Sequence, residues 1–171
     1  AVAYATSLLS PGFQVFSDGQ GVTRMGVASS LVTDGTGAFM LTTAHVAGTP
    51  DSEVYCIPRG QRRAIGMSTN HSVDSLPLSD VYPGFAGRGA YLKLDAGLVR
   101  LENVNTWTAR AIGVGVMGTP IDLSTDTLNL NIIGCPVFAE LPGGVRVEGE
   151  VQGLFYRHAT IGGVDTLSEL L

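Results

Sequence analysis

The apolar positions of this chain come in short runs. Val, Ile, Leu, Phe and Thr cluster over four to nine residues at a time, and Gly, Pro, Asp and Ser separate the clusters. None of the runs shows the sustained three- and four-residue spacing of an amphipathic helix, so the pattern predicts strands and turns. Met25 to Val32 reads as one strand, and Ala38 to Thr43 as its hairpin partner across the turn Asp34-Gly35-Thr36-Gly37. Glu53 to Ile57 is a strand ended by Pro58, and Arg62 to Met67 is another. The Ser-, Asp-, Pro- and Gly-rich stretch from Thr69 to Gly89 reads as a long surface loop. Strand patterning resumes at Ala96 to Leu101 and at Ala109 to Val116. Ile132 to Glu140 and Gly149 to Tyr156 follow, joined by the turn Pro142-Gly143-Gly144, and Val164 to Leu171 comes last as a strand or a first helical turn. Many short strands at regular spacing imply an all-β sandwich or barrel.

Composition narrows the class. With 171 residues, 44% of them apolar and 15% charged, the chain can bury a core and does not read as disordered. The formal charge is −5, and of the basic residues only Arg59, Arg62 and Arg63 cluster, so no nucleic-acid footprint is present. No apolar run approaches the roughly 18 residues needed to span a bilayer, and no membrane partner is expected. The opening stretch lacks the basic start of a signal peptide. The first residue is not Met, which reads as a processed chain or a piece of a longer one. Cys56 and Cys135 are too few for a disulfide framework and read as two buried thiols, favouring a reducing, cytoplasmic compartment.

Two local sequences carry chemistry. In Met40-Leu41-Thr42-Thr43-Ala44-His45-Val46 a His stands where a strand leaves the sheet, a place from which a rigid scaffold can aim a side chain. In Leu94-Asp95-Ala96-Gly97-Leu98-Val99-Arg100-Leu101 an Asp opens an apolar run, and a carboxylate there needs a partner. Asp95 reads either as a turn or cap residue bonded to nearby backbone, or as an acid that orients an imidazole and stabilises its protonated form.

Together the two segments resemble the chymotrypsin/trypsin-like serine peptidases. Leu41-Thr42-Thr43-Ala44-His45 is similar to that family's strand into the catalytic His, and Asp95-Ala96-Gly97-Leu98-Val99-Arg100-Leu101 to its Asp motif. Here 50 residues separate His45 from Asp95, against roughly 45 in the chymotrypsin template. The Cys that follows the His in animal trypsins is absent, which is more similar to bacterial trypsin-like domains. The resemblance implies one peptidase domain over residues 1–171 built as a double β-barrel. The first barrel would span about 20–105 and hold His45 and Asp95. A second barrel would start at about 106–171, incomplete in this chain. It further implies a serine endopeptidase acting on protein or peptide substrates, with no cofactor and no metal.

The nucleophile of that family is missing. No Gly-Asp-Ser-Gly-Gly-Pro segment occurs, and the nearest match is Asn131-Ile132-Ile133-Gly134-Cys135-Pro136-Val137-Phe138. Aligned on Pro136, it puts Ile133 at the nucleophile position, which would make the chain a catalytically inactive peptidase-fold binding or regulatory module. Cys135 as nucleophile conflicts with Pro136, because Pro lacks the N–H an oxyanion hole needs at that turn. Template spacing instead places the Ser at about position 188, after Leu171. The stretch from Gly134-Cys135-Pro136 through Leu154-Phe155-Tyr156-Arg157 to Gly162-Gly163 also looks like a bacterial group of trypsin-like domains in which a Gly-Asp-Ser-Gly segment follows. The expectation is therefore a Ser supplied C-terminal to Leu171, by a C-terminal fragment or by a second chain, with Ile133 as the inactive alternative. Gly113-x-Gly115-x-x-Gly118 matches a dinucleotide fingerprint in letters only, since Thr119-Pro120 and a polar loop follow it. His71, His158, Asp74 and Asp80 read as surface residues.

Overall fold

In a computed structural model the described residues are 8–81, 91–119, 130–141, 145–153, 155–161 and 164–170. The chain is all-β, as the run pattern predicts. It folds as two compact units, one of Ala1–Ser72, Asp95–Gly118 and Glu140–Arg146, the other of Val73–Leu94, Thr119–Ala139 and Val147–Leu171.

The first unit holds β1 (Gln14–Gly19), β2 (Val22–Val27), β3 (Ser30–Thr33), β4 (Ala38–Thr42), the one-turn helix α1 (Ala44–Ala47) and β5 (Glu53–Cys56). It also takes in one end each of β6 (Arg63–Pro77) and β7 (Tyr91–Leu101). Its strands follow the order β3-β4-β7-β6-β5-β1-β2, with β3–β4, β4–β7, β6–β5, β5–β1 and β1–β2 antiparallel. The strands at the two ends of that order, β2 and β3, are joined by Ala28 and Ser29 alone. Two residues cannot bridge the width of a flat sheet, so the sheet must curl until its edges meet. Closure is visible there. The Ser29 N–H donates to the Leu41 carbonyl at 2.8 Å, and Thr42 Oγ1 to the Val27 carbonyl at 2.9 Å.

Side-chain alternation fills the interior. Val15 and Ser17 of β1, Met40 and Thr42 of β4, and Gly97 and Val99 of β7 are buried, while the residues between them are more exposed. Met40 and Val99 are directly paired across β4 and β7, and both are fully buried. They join Val46, Val54, Cys56, Ile65 and Trp107 in one core cluster. Each such side chain contributes about 1.5–3 kcal/mol by leaving water.

Several sequence expectations change here. Thr69 to Gly89 is not a loop throughout: β6 continues to Pro77 and α2 (Leu78–Val81) follows, the rest lying outside the described residues. Ser, Thr and Asn make that stretch look like a loop, but pairing with β7 holds it extended, since strand preference depends mainly on the neighbouring strands. Met25 to Val32 is two strands broken at Ala28, where the Gly12 N–H donates to the Ala28 carbonyl and the Ala28 N–H to the Phe13 carbonyl. Ala109 to Val116 is only a small hairpin, β8 (Arg110–Ala111) and β9 (Gly115–Val116), whose Gly113 and Gly115 take φ of 75° and 90°. Those left-handed positions account for Gly113 and Gly115 of the apparent dinucleotide fingerprint by local backbone geometry. Cys135 is exposed rather than buried, while Cys56 is buried and both are free thiols.

Toward the C-terminus, β10 (Pro136–Leu141) and β11 (Val145–Glu150) form a two-stranded sheet; its expected turn, Pro142-Gly143-Gly144, lies outside the described residues. In the second unit β12 (Phe155–Ile161) pairs antiparallel with β13 (Val164–Leu170), so the last segment is a strand. β13 pairs in parallel with Tyr91 and Leu92 at the start of β7. Among the described residues no helix is long and apolar enough to cross a membrane.

Candidate active site

The site is assembled by the register of β4 on β7. Thr42 stands opposite Gly97, with Leu41 opposite Leu98. Continued two residues further, that register brings Ala44 beside Asp95, just where the chain leaves β4 and turns into α1. Asp95 shares a register face with the buried Gly97 and Val99 but lies at the exposed end of that row. A carboxylate at the end of an inward-facing row is tolerated because the N–H groups opening α1 meet it there.

Both carboxylate oxygens are used. The His45 backbone N–H donates to Asp95 Oδ1 at 3.1 Å, and His45 Nδ1 lies 2.5 Å from Oδ2. Burial pushes the Asp95 pKa up, but the bonds from the His45 N–H and imidazole, the charge of the imidazole and the Ala44 N–H outweigh it, leaving the carboxyl below its ordinary value. The carboxylate therefore has its partner, in backbone and ring of one residue. Asp95 caps the backbone of a turn 50 residues away in the chain and holds the imidazole of that same turn. The His45 ring is 62% exposed, and no described residue bonds its Nε2.

Glycines seat the turn that carries His45. A Cβ on Gly97 would lie 2.7 Å from Ala47 Cβ, and one on Gly26 2.8 Å from a Val46 methyl. Only bare backbone on β7 and β2 lets α1 settle this close to the barrel. Ser17 Oγ donates to the Val46 carbonyl at 2.6 Å, and Gly48, at φ 81°, closes the turn with its N–H on the Ala44 carbonyl. None of these supports was singled out from the sequence, although a Gly inside the apolar run of β7 is a signal of close backbone approach. Thr43 Oγ1 and Ser72 Oγ are buried with no hydrogen-bond partner among the described residues; Ser72 Oγ lies 3.3 Å from the point a Gly97 Cβ would occupy.

The other sequence candidates fall elsewhere. Ile133 is 45% exposed and lies in the second unit, as does Cys135, whose Sγ is 3.4 Å from the Asn131 carbonyl. His71 is exposed on β6, and Asp80 is exposed in α2. Asp74 lies on β6 and His158 on β12. Among the described residues no group of His, Cys, Asp and Glu is placed to hold a metal ion.

No protein-family model matches the chain. Over 152 residues it is 35% identical to a protein of Bradyrhizobium tropiciagri named a probable serine protease. The aligned region covers 89% of this chain and 19% of that protein, so the chain spans about a fifth of the relative's length. With the paired His45 and Asp95 in view, the chain is similar over most of its length to one segment of a probable serine protease.

Proposed function

We propose that this chain supplies the base and the orienting acid of a chymotrypsin-like serine endopeptidase, with the nucleophilic Ser outside its 171 residues. The observation that carries the reading is the two-point hold of Asp95 on His45, through ring and backbone together. With Nδ1–H donated to the carboxylate, the neutral imidazole presents Nε2 as a base. Nε2 takes the Ser proton as Oγ bonds to the scissile carbonyl carbon, and Asp95 stabilises the imidazolium. The imidazolium then returns that proton to the amine as the C–N bond breaks. Water repeats the cycle on the acyl-enzyme with the same proton bookkeeping.

The length of the relative supports a Ser placed further along a longer polypeptide. So does the hairpin of β10 and β11, where Val137, Phe138, Val145 and Val147 are all about half exposed, between 46% and 55%. A two-stranded sheet with so much apolar surface is marginal alone and is suited to being covered by further strands. The deciding experiment is labelling of the longer protein with a fluorophosphonate, followed by mapping of the modified residue. The reading expects one labelled Ser C-terminal to the present sequence, and loss of labelling in His45→Ala. Absence of any labelled Ser in folded, full-length protein would establish the inactive module instead.

A further inference from the structure

The first unit carries a groove on its outside. The groove, of about 690 Å³, runs between the segment 8–16 and the turn after β5. Its apolar floor is Phe16 and Ile57, resting on the core residues Leu9 and Phe13, and its lining contains Arg59, Arg62 and Arg63 with no carboxylate. None of its lining residues belongs to α1 or to the His45–Asp95 pair.

Strand geometry places this groove on the outer barrel surface. Along β1 the buried Val15 and Ser17 face the core, so Phe16 between them faces outward. An outward Phe is unusual on a solvated face, and it is held there. Its ring stacks on Tyr55 with centroids 5.6 Å apart, and the Arg62 guanidinium lies 3.6 Å from the Tyr55 centroid. Two nitrogens of Arg62 are occupied by Asp18 and Glu53, at 2.8 and 2.6 Å, which makes Arg62 a fixed wall of the groove. Arg59 is different. It is exposed, has no acidic partner among the described residues, and is held at φ 53° by the turn Pro58–Gly60. A non-glycine residue in that region costs on the order of 1 kcal/mol.

From the apolar floor, the arginine rim and the unpaired Arg59 we infer that this groove binds an acidic peptide segment bearing an apolar side chain. The apolar side chain lies on Phe16 and Ile57 while a carboxylate meets Arg59. Charge selects this occupant. The chain as a whole carries −5, yet this groove is lined by three of its ten basic residues and by no acid; Asp18 and Glu53 neutralise Arg62 from outside the lining and leave Arg59 as the charge a ligand meets. A simple anion would leave the floor uncovered, and an uncharged apolar partner would leave Arg59 unpaired. The site is independent of the peptidase reading, because it shares no residue with it and is read by binding alone.

The test uses this chain and two fluorescein-labelled peptides of the same length, one alternating Asp with Leu, the other alternating Lys with Leu. Fluorescence anisotropy should show the Asp peptide binding at least tenfold more tightly, and weakening as salt rises. Arg59→Glu, at an exposed position, should weaken the Asp peptide about tenfold with an unchanged circular dichroism spectrum, and Ile57→Asp should do the same through the floor. Equal binding of the two peptides overturns the inference, as does Asp-peptide binding indifferent to Arg59→Glu. Preferential capture of a single-stranded oligonucleotide over the Asp peptide overturns it too.

Discussion

At the scale of single residues the Asp95 carboxylate makes the sharpest predictions. Its pKa is depressed in the folded state, so its stabilising contribution is present above the unfolded value, about 3.8 to 3.9, and disappears as pH falls through the lower folded value. Urea unfolding should therefore separate wild type from Asp95→Asn at neutral pH, with the gap closing in acid. A carboxyl resonance for Asp95 titrating above 4 would contradict this. If the proposed peptidase reading holds, the same substitution in a protein that carries the nucleophilic Ser should lower kcat by about 10⁴, and His45→Ala by a similar factor, measured with a peptide substrate. Because Asp95 stays ionised through mildly acid conditions, any loss of activity on going from pH 8 to pH 5 reports a different group.

Elements make their contribution through close approach. Gly97 lets α1 rest on β7, so Gly97→Val should lift the turn and separate the imidazole from the carboxylate. The expected result is an Asp95 carboxyl that titrates near its ordinary value, together with a stability loss of about 1–3 kcal/mol from overpacking. Gly66 is tighter still. A Cβ there would land on the Arg100 carbonyl of β7, beside the point where the β5–β6 register shifts between Val54 and Tyr55. Backbone cannot step aside as a flexible side chain can, so Gly66→Ala should cost at least as much, measured by thermal unfolding. Met40→Ala, in the centre of the core, should cost about 2–5 kcal/mol by leaving a cavity among Val99 and its neighbours.

For the whole molecule, stability is unevenly distributed. Edges joined through Ala28 and Ser29, a filled interior and the α1 cap make the first unit's barrel the part that opens last. Neither strand of the β10–β11 hairpin has a buried residue. Hydrogen exchange should therefore protect the paired amides of β4 and β7 at least ~100-fold more than those of β10 and β11. If further strands of a longer polypeptide pack on this hairpin, its protection should rise in the full-length protein while that of β4 and β7 stays unchanged.

Much of this was legible in the chain alone, for a definite reason. Binary alternation and turn chemistry are local, so the all-β class, the hairpin at Asp34 to Gly37, the strand stop at Pro58 and the segments carrying His45 and Asp95 could be read without coordinates. Where locality failed, so did the reading. The polar stretch after Thr69 becomes strand only because β7 pairs with it, and a single apolar run breaks at Ala28 because its neighbours turn there. The sequence could name His45 and Asp95 and count the 50 residues between them. It could not say that Thr42 pairs with Gly97, and that register brings the imidazole to the carboxylate. Register is a property of two strands at once, decided by which side chains fill one shared interior and by which glycines let a helical turn approach it. Tertiary structure alone therefore decided that one carboxylate meets both the backbone and the ring of His45.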